Sequence, residues 1–289
     1  MSAPIVVGVD GSTSAVKAAE WAAAEAVRHG APLKLVHAYA LPVRGYPEIV
    51  LTGHEVRETF EKLGRESLRE AADAVRAVVP EVETSMVLGT PAGALIAESR
   101  AARLVVVGSQ GLGGFSGLLV GSVAVAVSAH GSCPVVVVRD SAPADGPVVL
   151  GVDGSPAGEE AVAFAFEQAS LRNAPLTAVI AWTDFLIDGP YGSRFAVDRS
   201  QIEEDQRQLL AERLAGWQEK YPDVRVERVV IRDRPVRALL KAAEHAQLLV
   251  VGSRGHGGFT GMLLGSTSQS LVYHASCPLA VVRPRHSEP

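Results

Sequence analysis

Short, wholly apolar runs alternate along this chain with longer stretches in which apolar residues recur every three or four positions. The first pattern is that of strands buried on both faces, the second that of amphipathic helices. Residues 4–9 read as a buried strand that stops at the Asp10-Gly11 turn. Ser12 or Thr13 can cap the helix that follows, which carries Val16, Ala19, Ala23 and Ala26 or Val27 on one face. Leu33 to Tyr39 is a second strand, and residues 40–53, with Pro42, Gly45, Pro47 and Gly53, form a long loop. Helical sequence resumes over 54–79, Val82 to Leu88 alternates as a strand, and Pro91 can start a short helix. Residues 103–107 are another buried strand. The segment Ser122-Val-Ala-Val-Ala-Val127 is ambiguous by itself, since its alternation suits a strand. Pro134-Val-Val-Val-Val138 is the last strand of the series.

The series then recurs. Ile5-Val-Val-Gly-Val-Asp-Gly-Ser12 returns as Val148-Val-Leu-Gly-Val-Asp-Gly-Ser155 at an offset of 143. Residues 108–139 align with 252–283 at an offset of 144, with 17 of 32 positions identical. The second copy resolves the ambiguity, because Ser266-Thr-Ser-Gln-Ser-Leu-Val-Tyr273 keeps no alternation and suits a helix. Further strands are expected near 147–153, 175–181, 224–231, 248–251 and 278–282. The helix at 199–213 carries its arginines on a solvated, salt-bridged face. Asp140-Ser-Ala-Pro-Ala-Asp-Gly-Pro147 is rich in breakers and reads as a linker. The expected organisation is a first domain at 1–140, a linker at 141–146 and a second domain at 147–289, with a frayed tail from 284. Strands alternating with helices require right-handed crossovers and a covered parallel sheet. The fold class expected is α/β: two tandem doubly wound domains, each a five-stranded parallel sheet in the order 3-2-1-4-5 with helices on both faces.

Composition narrows the function classes. The chain has 289 residues, enough for two domains, and its 47% hydrophobic and 20% charged content is that of a globular protein. A net charge of −5 argues against nucleic acid as a partner. No apolar run approaches the roughly 18 residues of a spanning helix, and Met1-Ser-Ala-Pro lacks a basic leader region. No membrane partner and a cytoplasmic location are therefore expected. Cys133 and Cys277 occupy matching places in the two copies and read as small residues buried where a strand begins.

The candidate chemistry lies in two glycine-rich loops, each after a fourth strand. Gly108, Ser109, Gln110, Gly111, Gly113 and Gly114 lead to Gly121-Ser122; Gly252, Ser253, Arg254, Gly255, Gly257 and Gly258 lead to Gly265-Ser266. Such a loop, ending on the positive N-terminus of a helix, can cradle a phosphate. In the expected strand order the ligand crevice opens between strands 1 and 4, which end at Asp10 and Gly108. Asp10 and Asp153 can accept hydrogen bonds from ribose hydroxyls; their alternative role is to cap a helix. No loop contains the Gly-Lys-Ser/Thr of a P-loop, a dinucleotide fingerprint after the first strand, or a G-x-S-x-G elbow. His130 and His274 recur at a helix end, where they can meet the last carbonyls, and no His/Cys cluster has zinc spacing. Trp182, Phe185, Tyr191 and Phe195 either form a lid over a ligand or pack their loop against the domain.

The spacing G-x2-G-x9-G-[ST], met twice and each time with an upstream Val-Gly-Val-Asp-Gly-Ser, is similar to that of tandem universal stress proteins of the ATP-binding branch. The resemblance covers nearly all of both halves. It implies ATP as ligand, with Mg2+ able to accompany it, and backbone around Gly8 and Gly151 within the site. It implies an adenine slot at the end of strand 2, at His37-Ala38 and Ala181-Trp182. Asp10 and Asp153 would contact ribose; the glycine loops, Ser122, Val123, Ser266 and Thr267 would hold phosphates. It also implies dimerisation through the last strand, here as an internal pairing of the halves, with a homodimer and an unidentified protein partner beyond. The role implied is that of a nucleotide-dependent regulator in stress or dormancy adaptation and growth control. The alternative is a slow ATPase or transferase, which would need a positioned base that the loops do not offer.

Overall fold

Ile5, Val6 and Val7 are fully buried because their strand, β1 (Ile5–Gly8), lies between two others. In the computed structural model it pairs in parallel with β2 (Leu33–Tyr39) on one side and β4 (Leu104–Gly108) on the other. β3 (Val82–Leu88) pairs with β2, and β5 (Val135–Val138) with β4, giving the order β3-β2-β1-β4-β5. The expected alternation of β3, at the end of that order, is not seen: Glu83, Thr84 and Leu88 are all exposed, as suits a strand with one neighbour. The structure describes residues 2–40, 53–112, 120–139, 145–183, 198–255 and 263–284. The chain divides into two units, Met1–Asp140 and Ser141–Pro289.

Helix α1 (Thr13–His29) starts where the Ser12 hydroxyl accepts the Ala15 N–H at 3.1 Å. Its buried face is mostly alanine, at Ala15, Ala18, Ala19, Ala22, Ala23 and Ala26, so its backbone lies close to the sheet. It packs beside α2 (Gly53–Val75). Helix α3 (Pro91–Glu98), with Thr90 accepting the Gly93 N–H and proline in the first turn, packs beside α4 (Ser122–His130). The two pairs cover opposite faces of the sheet. The segment that alternates like a strand is thus a helix, as its counterpart in the second half indicates; Ala124, Val127 and Ser128 bury at helical spacing.

The second unit repeats this plan. β6 (Val148–Val152), β7 (Leu176–Trp182), β8 (Val226–Arg232), β9 (Leu248–Gly252) and β10 (Leu279–Val282) are parallel, in the order β8-β7-β6-β9-β10. Helices α5 (Glu159–Arg172), α6 (Arg199–Leu214), α7 (Trp217–Lys220), α8 (Pro235–Ala242) and α9 (Ser266–His274) complete the described part. Pro156 follows Ser155 directly, and a single 3-10 turn, Pro156–Gly158, precedes α5. The sequence pattern does not reveal α7, which is too short to show periodicity. Its Trp217 stacks on Phe166 of α5 at 5.9 Å, as does Tyr221 just beyond. The expected linker lies largely outside the described residues, but Gly146 already belongs to the second unit's packing, since its carbonyl accepts the Gln247 Nε2–H at 2.6 Å. Among the described residues no helix is long and apolar enough to cross a membrane. Cys133 and Cys277 are buried and not joined in a disulfide, and burial pushes the Cys133 thiol up to about 12.

The late start of α5 changes how tightly a helix meets the end of the fourth strand. A Cβ on Gly108 would lie 2.8 Å from both the carbonyl carbon and oxygen of Ser14. On Gly252 the nearest atom, the Arg254 carbonyl oxygen, would be 3.2 Å away. Gly108→Ala should therefore cost about 1–3 kcal/mol, the usual range for overpacking, and Gly252→Ala clearly less. Urea unfolding measures both; equal costs would contradict the close approach. Phe166→Ala, at a fully buried ring, should cost about 3–5 kcal/mol and shift the unfolding midpoint read by tryptophan fluorescence.

Candidate functional site

Each unit has a cavity at the carboxyl ends of its strands. The first, of about 430 Å³, has Gly8, Val9 and Asp10 of the β1 end as its floor. Its walls are Val36 and Ala38 of β2, Val107 and Gly108 of β4, Pro91 and Leu95 of α3, and the start of α4. The second, of about 520 Å³, is formed by matching elements: Gly151 and Asp153, Val179 and Ala181, Gly252, Pro235 and Leu239, and the start of α9. In both cases apolar walls surround a few converging polar groups.

Asp10 joins the first strand to the glycine loop. Its Oδ1 accepts the Ser12 N–H at 2.9 Å and its Oδ2 accepts the Leu112 N–H at 3.0 Å. A Cβ on Gly111 would lie 2.5 Å from that Oδ2, so only glycine lets the loop close on the carboxylate. In the second unit Asp153 Oδ1 accepts both the N–H (3.0 Å) and the hydroxyl (2.8 Å) of Ser155, and a Cβ on Gly255 would lie 2.6 Å from Oδ2. The loop is also tied to the next helix. The Ser109 carbonyl accepts the Gly121 N–H and the Ser253 carbonyl the Gly265 N–H, both at 2.8 Å. Gly121 and Gly265 occupy the N-cap positions of α4 and α9 and supply no capping side chain. The first N–H groups of these helices thus have no side-chain cap where Ser122, Val123 and Ala124, or Ser266, Thr267 and Ser268, line the cavities. Such a helix start favours an anion.

The residues singled out in the sequence divide into three groups. Gly8, Asp10, Ala38, Gly108, Gln110, Gly111, Gly121, Ser122 and Val123 line the first cavity. Gly151, Asp153, Ala181, Gly252, Arg254, Gly255, Gly265, Ser266 and Thr267 line the second. His37, Trp182, Ser109 and Ser253 do not. His37 alternates with Val36 and Ala38; its Nδ1 hydrogen bonds the Val9 carbonyl at 2.9 Å, and its ring lies beside Gly64 of α2. Trp182 is buried, with the Arg232 guanidinium 6.0 Å from its ring centre. Both serines are buried and act through their carbonyls. Gly113, Gly114, Gly257, Gly258 and the lid candidates Phe185, Tyr191 and Phe195 lie outside the described residues. His130 and His274 end α4 and α9 away from both cavities.

Sequence reasoning missed Pro91 and Leu95, with Pro235 and Leu239, which face the floor glycines. A Cβ on Gly8 would lie 2.7 Å from Leu95 Cδ1, and one on Gly151 3.0 Å from Leu239 Cδ1. The signal was available: both prolines open the helix after the third strand, 144 positions apart. Gly158 and Gln206 of the second cavity carried none.

Comparison with known proteins gives a consistent result. The sequence model of the universal stress protein family matches residues 1–139 and again 146–283. A universal stress protein of Mycolicibacterium smegmatis is 43% identical over 97% of both chains. One of Mycobacterium tuberculosis is 41% identical over 96% of both. The crystal structure of a universal stress protein from Archaeoglobus fulgidus superposes with a TM-score of 0.68 over 99% of this chain and 97% of that one; at 19% identity it shares the fold. Two matched halves, each with its own parallel sheet and its own cavity, make this chain a tandem member of the universal stress protein family.

Proposed function

We propose that each half binds ATP and that occupancy of the two sites regulates partner choice in stress or dormancy adaptation and growth control, in the cytoplasm. The observation that carries this reading is the aspartate joined to a glycine loop beside an uncapped helix start, at the floor of a cavity of about 430 Å³. Adenine would lie against the backbone at Ala38 or Ala181, ribose would reach Asp10 or Asp153, and phosphates would accept from Ser122 and Val123 or Ser266 and Thr267. Both Asp10 oxygens already accept N–H groups, so ribose must share or displace one of those bonds. For the same reason Mg2+, where it accompanies ATP, would be held by the phosphates rather than by Asp10.

The organisation proposed with this function is a domain at 1–140, a linker at 141–146 and a domain at 147–289, paired through their last strands. Val135–Val138 is an apolar strand that would otherwise present an open edge. A homodimer would extend this arrangement.

Native mass spectrometry of the full chain should show two ATP molecules bound per chain. Asp10→Ala should remove the first and Asp153→Ala the second. Arg254, standing where the first loop has Gln110, should make the second site tighter by about 1–2 kcal/mol, the range of a charge-assisted bond. Calorimetric titration of the two variants checks this, and equal or reversed affinities would sink it. Mixing the protein with ATP should release no phosphate above background. Turnover that is lost in Gly121 or Gly265 variants would instead favour the slow ATPase or transferase.

A further inference from the structure

In the second unit two arginines leave adjacent parallel strands one residue apart in register. β9 and β10 pair with Gly252 opposite Val282, and the Ser253 N–H donates to the Val282 carbonyl at 2.7 Å. Arg254 and Arg283 are each the next residue along, on strands about 5 Å apart. Both flank the turn that leads into α9. A Cβ on Gly265 would lie 3.6 Å from Arg254 Cα, and Arg283 Nη2 donates to the Leu263 carbonyl at 2.9 Å. Arg254 lines the cavity; Arg283 is half-buried and is not one of the residues lining it. Arg283 Nε is buried and has no hydrogen-bond acceptor among the described residues.

An unpartnered guanidinium nitrogen beside a second cation costs free energy until an acceptor arrives. Burial, and after it the charge of Arg254, holds the Arg283 guanidinium below its ordinary range. The acceptor best matched to two neighbouring guanidiniums at a helix start is a group with several negative charges, such as a polyphosphate.

We propose that Arg283 and Arg254 form a two-cation clamp that makes the second cavity select its ligand by the number of phosphates, taking a triphosphate in preference to a monophosphate. The clamp rests on the ATP-binding reading for the adenosine part but not for the phosphates. The first cavity has Gln110 in place of Arg254, and no arginine is among its described lining residues.

The test uses the full chain carrying Asp10→Ala, which leaves the second cavity unaltered. ATP, AMP and inorganic tripolyphosphate are titrated by calorimetry against that protein and against its Arg283→Gln and Arg283→Lys derivatives. Arg283→Gln should weaken ATP and tripolyphosphate about tenfold and AMP less than about twofold, with partial recovery in Arg283→Lys. Equal losses for ATP and AMP would reduce Arg283 to a prop for the Leu263 turn and overturn the clamp. ATP binding indifferent to Arg283 would overturn it too, while leaving the nucleotide reading in place. Tripolyphosphate bound in an Arg283-dependent way, with no ATP binding, would keep the clamp and refute the adenine site. No binding of any of the three would overturn both.

Discussion

A carboxylate with no room for a neighbouring side chain sets the geometry of each half. Asp10 stands at the end of β1 and Gly111 in the loop after β4, and the two strands are hydrogen-bonded neighbours. Closing the loop over the strand ends brings Gly111 so near Asp10 that a Cβ would stand 2.5 Å from its Oδ2. The Leu112 N–H bond then fixes the loop, and the Gly121 to Ser109 bond fixes where α4 begins. The apolar floor follows from this closure, because strands that end together leave a crevice where the order reverses. A substitution at Gly111 or Gly255 would act on the aspartate first, and on the loop only through it.

Local dipoles must do what net charge cannot. With a formal charge of −5 the chain offers no general attraction to an anion. Each cavity also contains an aspartate, which would repel a phosphate if its charge were unscreened. In the first half both its oxygens accept backbone N–H groups, and in the second the Ser155 N–H and hydroxyl converge on one oxygen. The negative charge is thus spread into the loop while the helix start turns its positive end to the cavity. Aspartate and phosphate can then occupy opposite ends of one pocket.

The strands and helices were legible because burial on both faces and burial on one face leave different periods in a sequence. The helix at Ser122 needed its second copy, since Val and Ala in alternation satisfy both patterns. The floor of the site was legible at Asp10 and the glycines, where the chemistry is unusual for a strand end. Its walls were not. At the end of β2 the residues Val36, His37 and Ala38 say nothing of which face meets the cavity; that depends on the α3 side of the sheet being open while α2 covers His37. Pro91 and Leu95 look like any short helix start, and their role exists only because Gly8 lets Leu95 approach. Arg283 reads as a polar residue after a final strand until the register brings it within one residue of Arg254.

The halves differ where the backbone is least constrained. The sheets must remain alike, since a one-residue slip would turn every buried side chain to the wrong face. The helix after the first strand has no such restriction. Ser12 spends its hydroxyl on the Ala15 N–H and starts α1 at once. Ser155, followed by proline, spends its hydroxyl on Asp153, and α5 starts only after a 3-10 turn. That change puts Gly158 in the cavity wall where the first half has Ala15, and it relaxes the contact at Gly252. The second cavity, at about 520 Å³ against 430 Å³, is the roomier of the two and the one with arginine at its rim. A single proline after the aspartate turn therefore separates the two sites in shape, while the Gln110 to Arg254 difference separates them in charge. Duplication left the frame common and made the rims the place where the sites could diverge.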